Sequence, residues 1–156
     1  WPYVIRYDRS GGPQGLPLLK PPYRRITAIN LNTGEHEWQI PLGKGPTDHP
    51  AIAHLNLGDL GSVFTDVVAE GGVLITKSLV ISYLAAKDEL GPEETGSILV
   101  AFDKTSGAKA GEVFVEQRLH GPVMSYEHDS VQYLAVAGGG RADDAELLVF
   151  TLGNSQ

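Results

Sequence analysis

One short pattern occurs twice in this chain, and it limits the fold more than any other feature. Residues 28–38 read Ala28-Ile29-Asn30-Leu31-Asn32-Thr33-Gly34-Glu35-His36-Glu37-Trp38, and residues 101–111 read Ala101-Phe102-Asp103-Lys104-Thr105-Ser106-Gly107-Ala108-Lys109-Ala110-Gly111. Each copy holds an Ala, then Asn or Asp, then a hydroxyl residue followed directly by Gly. The Asn or Asp side chain can bond the backbone of a tight turn, Thr or Ser can do the same more weakly, and Gly supplies the positive φ that the return needs. Extended stretches flank both copies, so each predicts a β-hairpin with a short Gly-containing loop.

The rest of the chain is punctuated in the same way. Strands are expected over 63–68, within the apolar run 73–83, and over 97–104, 108–117, 122–127, 131–137 and 146–152. Between them lie His128-Asp129-Ser130 and Gly138-Gly139-Gly140. With 19 Gly and 10 Pro in 156 residues, turns between short strands are favoured. No helix of ordinary length is offered: 47–57 is interrupted by Pro50, and 84–90 is too short and uncapped to stand alone. Residues 1–23 form a loop-rich lead-in, 43–61 a long connection, and 86–96 an acidic excursion read as an exposed hairpin tip. The class is all-β. The two alanines of the repeated frame stand 73 positions apart. That exceeds the roughly 40 to 50 residues of a propeller blade, which implies one blade with inserted loops.

Composition removes several functions. The net charge is −7 and no basic run exceeds Arg24-Arg25, so the footprint of a nucleic-acid backbone is missing. The absence of cysteine excludes disulfides, thiolate metal sites, a catalytic thiol and covalent haem attachment. No apolar run approaches the roughly 18 to 20 residues of a membrane span, and no signal segment is present in the chain.

Candidate chemistry is sparse. His36, His49, His54, His120 and His128 show no metal-ligand spacing, and Asp143, Asp144 and Glu146 read as a solvated loop rather than a Ca²⁺ site. Gly138-Gly139-Gly140 lacks the pattern of a phosphate loop, and no serine sits in a nucleophile elbow. No catalytic or metal-binding residue is therefore assigned to this chain.

The frame Ala28-x-Asn30-x-x-Thr33-Gly34-x-x-x-Trp38 resembles the tryptophan-docking motif of the pyrroloquinoline quinone-dependent (quinoprotein) dehydrogenases. Its surroundings resemble the glucose dehydrogenase branch: residues 15–23 before it, 39–43 after it, then Asp48-His49-Pro50, Leu55-Asn56-Leu57 and Leu74-Ile75-Thr76-Lys77. Residues 122–127 and 132–140 resemble that family's final blade, and 146–152 its last strand, so the likeness runs from about 16 to 152.

The resemblance implies the C-terminal part of an eight-bladed β-propeller with four-stranded antiparallel blades. On this reading 24–42 is a partial blade, 60–117 one blade with an insertion, and 121–152 a last blade lacking its closing strand. The docking positions are Ala28, Asn30, Thr33, Gly34, Trp38, Ala101, Asp103, Ser106 and Gly107. Thr76 and Lys77 are expected near the cofactor funnel, because the strand they resemble is an inner one, and His49 on a loop facing the substrate side.

The family oxidises a sugar or alcohol hydroxyl: a carboxylate base takes the proton, Ca²⁺ polarises the quinone, and hydride passes to the cofactor. Base, metal ligands and stacking indole belong to earlier blades. Quinone and Ca²⁺ are therefore expected in the complete enzyme, none is held by this chain alone, and the isolated chain should be inactive. Its partners would be the remaining blades or another subunit, in the periplasm. Three departures matter. Gly111 stands where many members carry the Trp of the second frame, Gly140 where some glucose dehydrogenases have a pocket His, and Gly96 near where they carry a substrate-contacting Asp. The last two weigh against glucose specificity. The competing reading is a non-catalytic propeller-like scaffold for a protein partner.

Overall fold

The computed structural model describes residues 11–63, 72–91, 93, 95–139 and 145–151. Most of the strand expected over 63–68, together with Gly140, Asp143 and Asp144, lies outside them. Among the described residues nine strands make up three antiparallel sheets in chain order. The first pairs β1 (Arg25–Ile29) with β2 (His36–Pro41). The second is four-stranded, β3 (Leu74–Ile75), β4 (Leu79–Ala85), β5 (Ser97–Asp103) and β6 (Lys109–Val115) side by side. The third holds β7 (Leu119–His128), β8 (Val131–Gly138) and β9 (Glu146–Thr151). The run 73–83 is thus not one strand, because Thr76 closes a turn within it. Its backbone N–H donates to Leu79 O at 2.8 Å, and its Oγ1 accepts from Leu79 N–H at 3.0 Å.

The side-chain pattern explains the stacking. Successive residues of a strand face opposite sides, and β4 and β5 are apolar on both. Val80, Leu84, Val100 and Phe102 pack toward the first sheet against Leu42, Ile26, Trp38 and Ile40. Ile81, Tyr83 and Leu99 pack toward the third sheet against Leu119, Val123 and Val136. A middle sheet covered on both faces therefore reads as unbroken apolar runs, whereas outer β6 is exposed along most of its length. Tyr83 joins the second and third sheets directly, its hydroxyl donating to Gly121 O at 2.9 Å, and burial pushes its phenol above the ordinary value.

The two repeated frames fold alike. Asn30 Oδ1 accepts from the backbone N–H of Asn32 at 3.0 Å and of Thr33 at 3.4 Å. Asp103 Oδ1 accepts from the backbone N–H of Thr105 at 3.0 Å and of Ser106 at 2.9 Å, and from both hydroxyls. Gly34 and Gly107 follow at φ +77° and +73°, and both hairpins shift register just after the alanine, at Ala28/Ile29 and Ala101/Phe102.

These bonds hold the Asp103 carboxyl down at about 2, the Thr105 hydroxyl being the largest cause. A carboxyl whose folded value lies below its unfolded one stabilises the fold above roughly pH 4 and loses that contribution as pH falls toward 2. Amide exchange at Thr105 and Ser106, corrected for intrinsic rate, is expected to accelerate over that window, while the turn after Asn30 does not. Asp103→Asn should abolish the difference, and an unchanged pH response in that variant would refute the account.

One segment departs from expectation. Residues Ala86–Glu89, read as part of a solvated tip, form a single α-helical turn, α1, whose N-cap Ala85 makes no side-chain bond. Tertiary contacts hold it where propensity alone would not.

Candidate functional site

Hairpin parity sorts the connections to two ends of the stack. The turns 30–35, 76–78, 104–108 and 129–130 lie at one end. The connection 42–62, the excursion 86–96, the link 116–118 and the exit after Gly138 lie at the other. At this second end a cavity of about 390 Å³ opens between the second and third sheets, lined by Ala85, Lys87, Thr95, Gly96, Glu116, Gln117, Arg118 and Gly139. That volume suits a small molecule. Gly96, at φ +97°, shapes the wall: a Cβ there would overlap Val115 O and come to 2.8 Å from Glu116 O. His120 holds the lining residue Gly139, and because a carbonyl only accepts, its Nε2 carries the proton that it donates to Gly139 O at 2.8 Å.

A clasp ties this end to the long connection. Glu89 Oε1 accepts from the backbone N–H of Lys44 at 2.8 Å and from Ser62 Oγ at 3.3 Å. Gly43 is needed beneath it, since a Cβ at its φ of +93° would run into Ser62 Oγ and stand 2.6 Å from Glu89 Oε1. Lys44 also bonds Asp48 at 2.6 Å, and that partner holds the ammonium above its ordinary value.

His49 lies on this connection, at the cavity end, but does not line the cavity. Its Nδ1 accepts from Ala51 N–H at 3.2 Å, so Nε2 carries the proton and donates to Gln14 O at 3.0 Å. Both ring nitrogens are thereby committed to holding the loop. Thr76 and Lys77 lie at the opposite end, beyond the length of β4, and the structure does not bring them to the cavity. The Thr76 hydroxyl is engaged with Leu79, and Lys104 Nζ donates to Thr76 O at 3.1 Å.

The docking positions gather at that opposite end. Trp38 Nε1 donates to Lys104 O at 3.0 Å, and its ring lies against Gly107, where an added Cβ would stand 2.8 Å from Trp38 Cε3. The first frame thus rests on the turn of the second. At Gly111 a Cβ would meet nothing within 4 Å, so the second frame lacks the corresponding contact.

Lys87, Arg118, Glu116, Gln117, Thr95 and Glu89 were not singled out by sequence reasoning, which dismissed 86–96 as solvated. The parity of hairpin turns could have revealed them, since 86–96 and 116–118 must share an end.

Among the described residues no three His, Asp or Glu side chains gather to hold a metal ion. The indole of Trp38 is occupied between sheets, at the far end from the cavity. The described residues do not by themselves fit a flat quinone cofactor or a hard cation, and no chemical step is derived through either.

Three small antiparallel sheets packed in chain order, the middle one covered on both faces, match consecutive blades of a β-propeller. Residues 1–134 match the family model of the PQQ glucose/ethanol/alcohol dehydrogenase β-propeller domain, and the chain belongs to that family. It is 26% identical over 141 residues to the quinate/shikimate dehydrogenase (quinone) of Acinetobacter baylyi, covering 89% of this chain and 16% of the relative. It is 27% identical over 139 residues to quinoprotein glucose dehydrogenase A of Acinetobacter calcoaceticus, with the same 89% and 16% coverage. To the glycerol dehydrogenase large subunit of Gluconobacter oxydans it is 29% identical over 131 residues, covering 81% and 16%. The chain therefore spans about 16% of the length of each of these relatives.

Proposed function

We propose that this chain is the C-terminal propeller segment of a periplasmic quinoprotein that oxidises a hydroxyl of a sugar, alcohol or cyclic polyol, with catalytic groups supplied by other blades. In that assembly the propeller has eight blades of the tryptophan-docking type, and pyrroloquinoline quinone with Ca²⁺ supplies the hydride acceptor and its electrophilic activation. The relatives named above, whose names specify quinate/shikimate, glucose and glycerol, support the reaction class. The observation that carries the reading is the cavity built from consecutive loops at one end of the stack. It is the place where this chain can contribute substrate contacts without contributing the reacting groups.

The residues have separable tasks. Lys87, Arg118, Glu116, Gln117 and Thr95 bind and orient substrate, while Gly96 and Gly139 keep space open. Glu89 and His49 hold the long connection beside them. Thr76 and Lys104 lock the opposite end against the docking turn.

The third sheet points to what else is required. Met124, Tyr126, Val131, Leu147 and Val149 share its outer face and are exposed, Leu147 by 64%. A contiguous apolar face of this kind marks an interface, and the remaining blades are its natural cover. The chain alone, given the quinone, Ca²⁺ and a redox dye, is expected to reduce no dye with any sugar or alcohol. With the remaining blades supplied, turnover is expected. Dye reduction by the chain alone would overturn the placement of the reacting groups, and no turnover in the full assembly would favour the scaffold reading.

A further inference from the structure

We propose that Glu89 is a positioning residue for the cavity, a role that rests on the substrate-side reading of that cavity. Its carboxylate ties the neck of the 42–62 connection to the helical turn beside the cavity wall, so that connection and wall hold their places together.

The neck is the fixed end of this relay. Leu60, Gly61 and Ser62 donate their backbone N–H groups to Lys44 O, Gly43 O and Leu42 O, each at 2.9 Å. Tyr23 N–H donates to Leu60 O at 2.8 Å and Leu42 N–H to Arg24 O at 2.9 Å, which joins the neck to the start of the first sheet. At Gly61, φ +78°, a Cβ would run into Arg24 O and stand 2.6 Å from Arg24 N, so the backbones here lie in direct contact. Backbone bonded and packed in this way opens less readily than a free loop.

Glu89 is the link. One oxygen, Oε1, accepts from the Lys44 backbone N–H at 2.8 Å and from Ser62 Oγ at 3.3 Å, and so reaches both sides of the neck. Ser62 is 3% exposed, and an amide bonded to a carboxylate away from water is held more firmly than one bonded to a neutral acceptor. Removing the carboxylate would take from a part-buried N–H its acceptor, which is costly.

The wall is the dependent end. The helical turn α1 begins at buried Ala86, whose N–H donates to Gly96 O at 3.1 Å and whose carbonyl accepts from Leu90 N–H at 2.8 Å. Lys87, on the same turn, and Gly96 both line the cavity. A single helical turn with no side-chain bond at its N-cap does not hold itself. Fixing Glu89 at its last position therefore fixes Ala86, and through Ala86 the backbone of Gly96. Residues at this wall meet substrate without carrying the reacting groups, so losing the link should weaken binding and spare the chemical step.

Two measurements on the full assembly test the role: dye reduction with whichever of glucose, glycerol and quinate the parent turns over, and amide exchange at Lys44 and Ala86. Glu89→Ala is expected to raise KM at least about fivefold with kcat within about twofold of the parent. Exchange at both amides should accelerate at least about tenfold, while Leu119, whose N–H is held by Ser97 Oγ at 2.9 Å, keeps its rate. Glu89→Gln retains an acceptor oxygen, and its KM should stay within about twofold of the parent. Ser62→Ala should raise KM about twofold in the parent and not at all in Glu89→Ala, because both changes cut one link. An unchanged KM in Glu89→Ala, a fall in kcat in place of the rise in KM, equal losses in the Ala and Gln variants, or faster exchange at Lys44 with none at Ala86 would each overturn the role. Faster exchange at Ala86 in an assembly that turns over no substrate would leave the relay standing and remove the dehydrogenase reading. Turnover with a KM indifferent to Glu89 would do the reverse.

Discussion

Replacing Trp38 with Ala is expected to lower the stability of the protein by about 3 kcal/mol, the lower part of the range for truncating a large aromatic packed in a core. The indole is half-buried between the first and second sheets, packed with Ile26, Ile40 and the buried residues Val80, Val100 and Phe102. It also donates the hydrogen bond to Lys104 O. Because its ring covers Gly107, the two positions should be coupled. Gly107→Ala in the parent carries two costs: a methyl group at φ +73°, and a Cβ placed 2.8 Å from Trp38 Cε3. In the Trp38→Ala background the backbone cost of about 1 kcal/mol remains, together with a tight contact of 3.2 Å to Ile40 Cγ2. A double-mutant cycle in denaturant should therefore show the two losses to be less than additive by about 1 to 2 kcal/mol. Strict additivity would mean that the indole does not rest on that turn in solution.

The same contact shows what the sequence could and could not reveal. The hairpins at Asn30 and Asp103 were legible because a turn is a local device: the side chain that closes it lies two or three residues from the N–H it accepts. The all-β class was legible for the same reason. That Trp38 would meet Lys104 and Gly107 depends on a partner 66 residues away for its hydrogen bond, and only the repeat itself hinted that one frame might face the next. The helical turn at Ala86–Glu89 was hidden because its support is tertiary and its N-cap makes no side-chain bond.

The candidate site was less legible than the fold. Lys87 and Arg118 stand 31 positions apart in the sequence and look like ordinary surface cations. They come together because hairpin connections alternate between two ends of a sheet, which is a property of topology rather than of either residue. Thr76, Lys77 and His49 drew attention through family likeness. The geometry gives Thr76 and His49 structural bonds, at the far end for Thr76 and in the long connection for His49. A hydroxyl or imidazole in a striking local motif carries no information on whether its polar atoms are already used.

Gly96 is where fold and site constrain each other most strongly. Gly96→Asp, which adds an acidic side chain at the cavity wall, is expected to cost about 3 kcal/mol or more. The φ of +97° is unfavourable for any residue with a Cβ. The Cβ would also overlap Val115 O and approach Glu116 O, which are backbone atoms at the exit of β6 and cannot rotate away. Relief requires the exit of β6 to move, and Glu116, Gln117 and Arg118 line the cavity just beyond it. The variant should therefore lose stability and, in the full assembly, turnover together. Thr95→Asp offers the contrast. Its backbone has no positive φ, so stability should change by no more than about 0.5 kcal/mol. The new carboxylate would stand among the cavity-lining residues, so turnover by the full assembly should still fall severalfold. Chemical denaturation, and dye reduction by the full assembly carrying each variant, separate a backbone constraint from an effect confined to the cavity. A Gly96→Asp protein as stable as the parent would show that the close approach of residues 96 and 115 is not what fixes this wall.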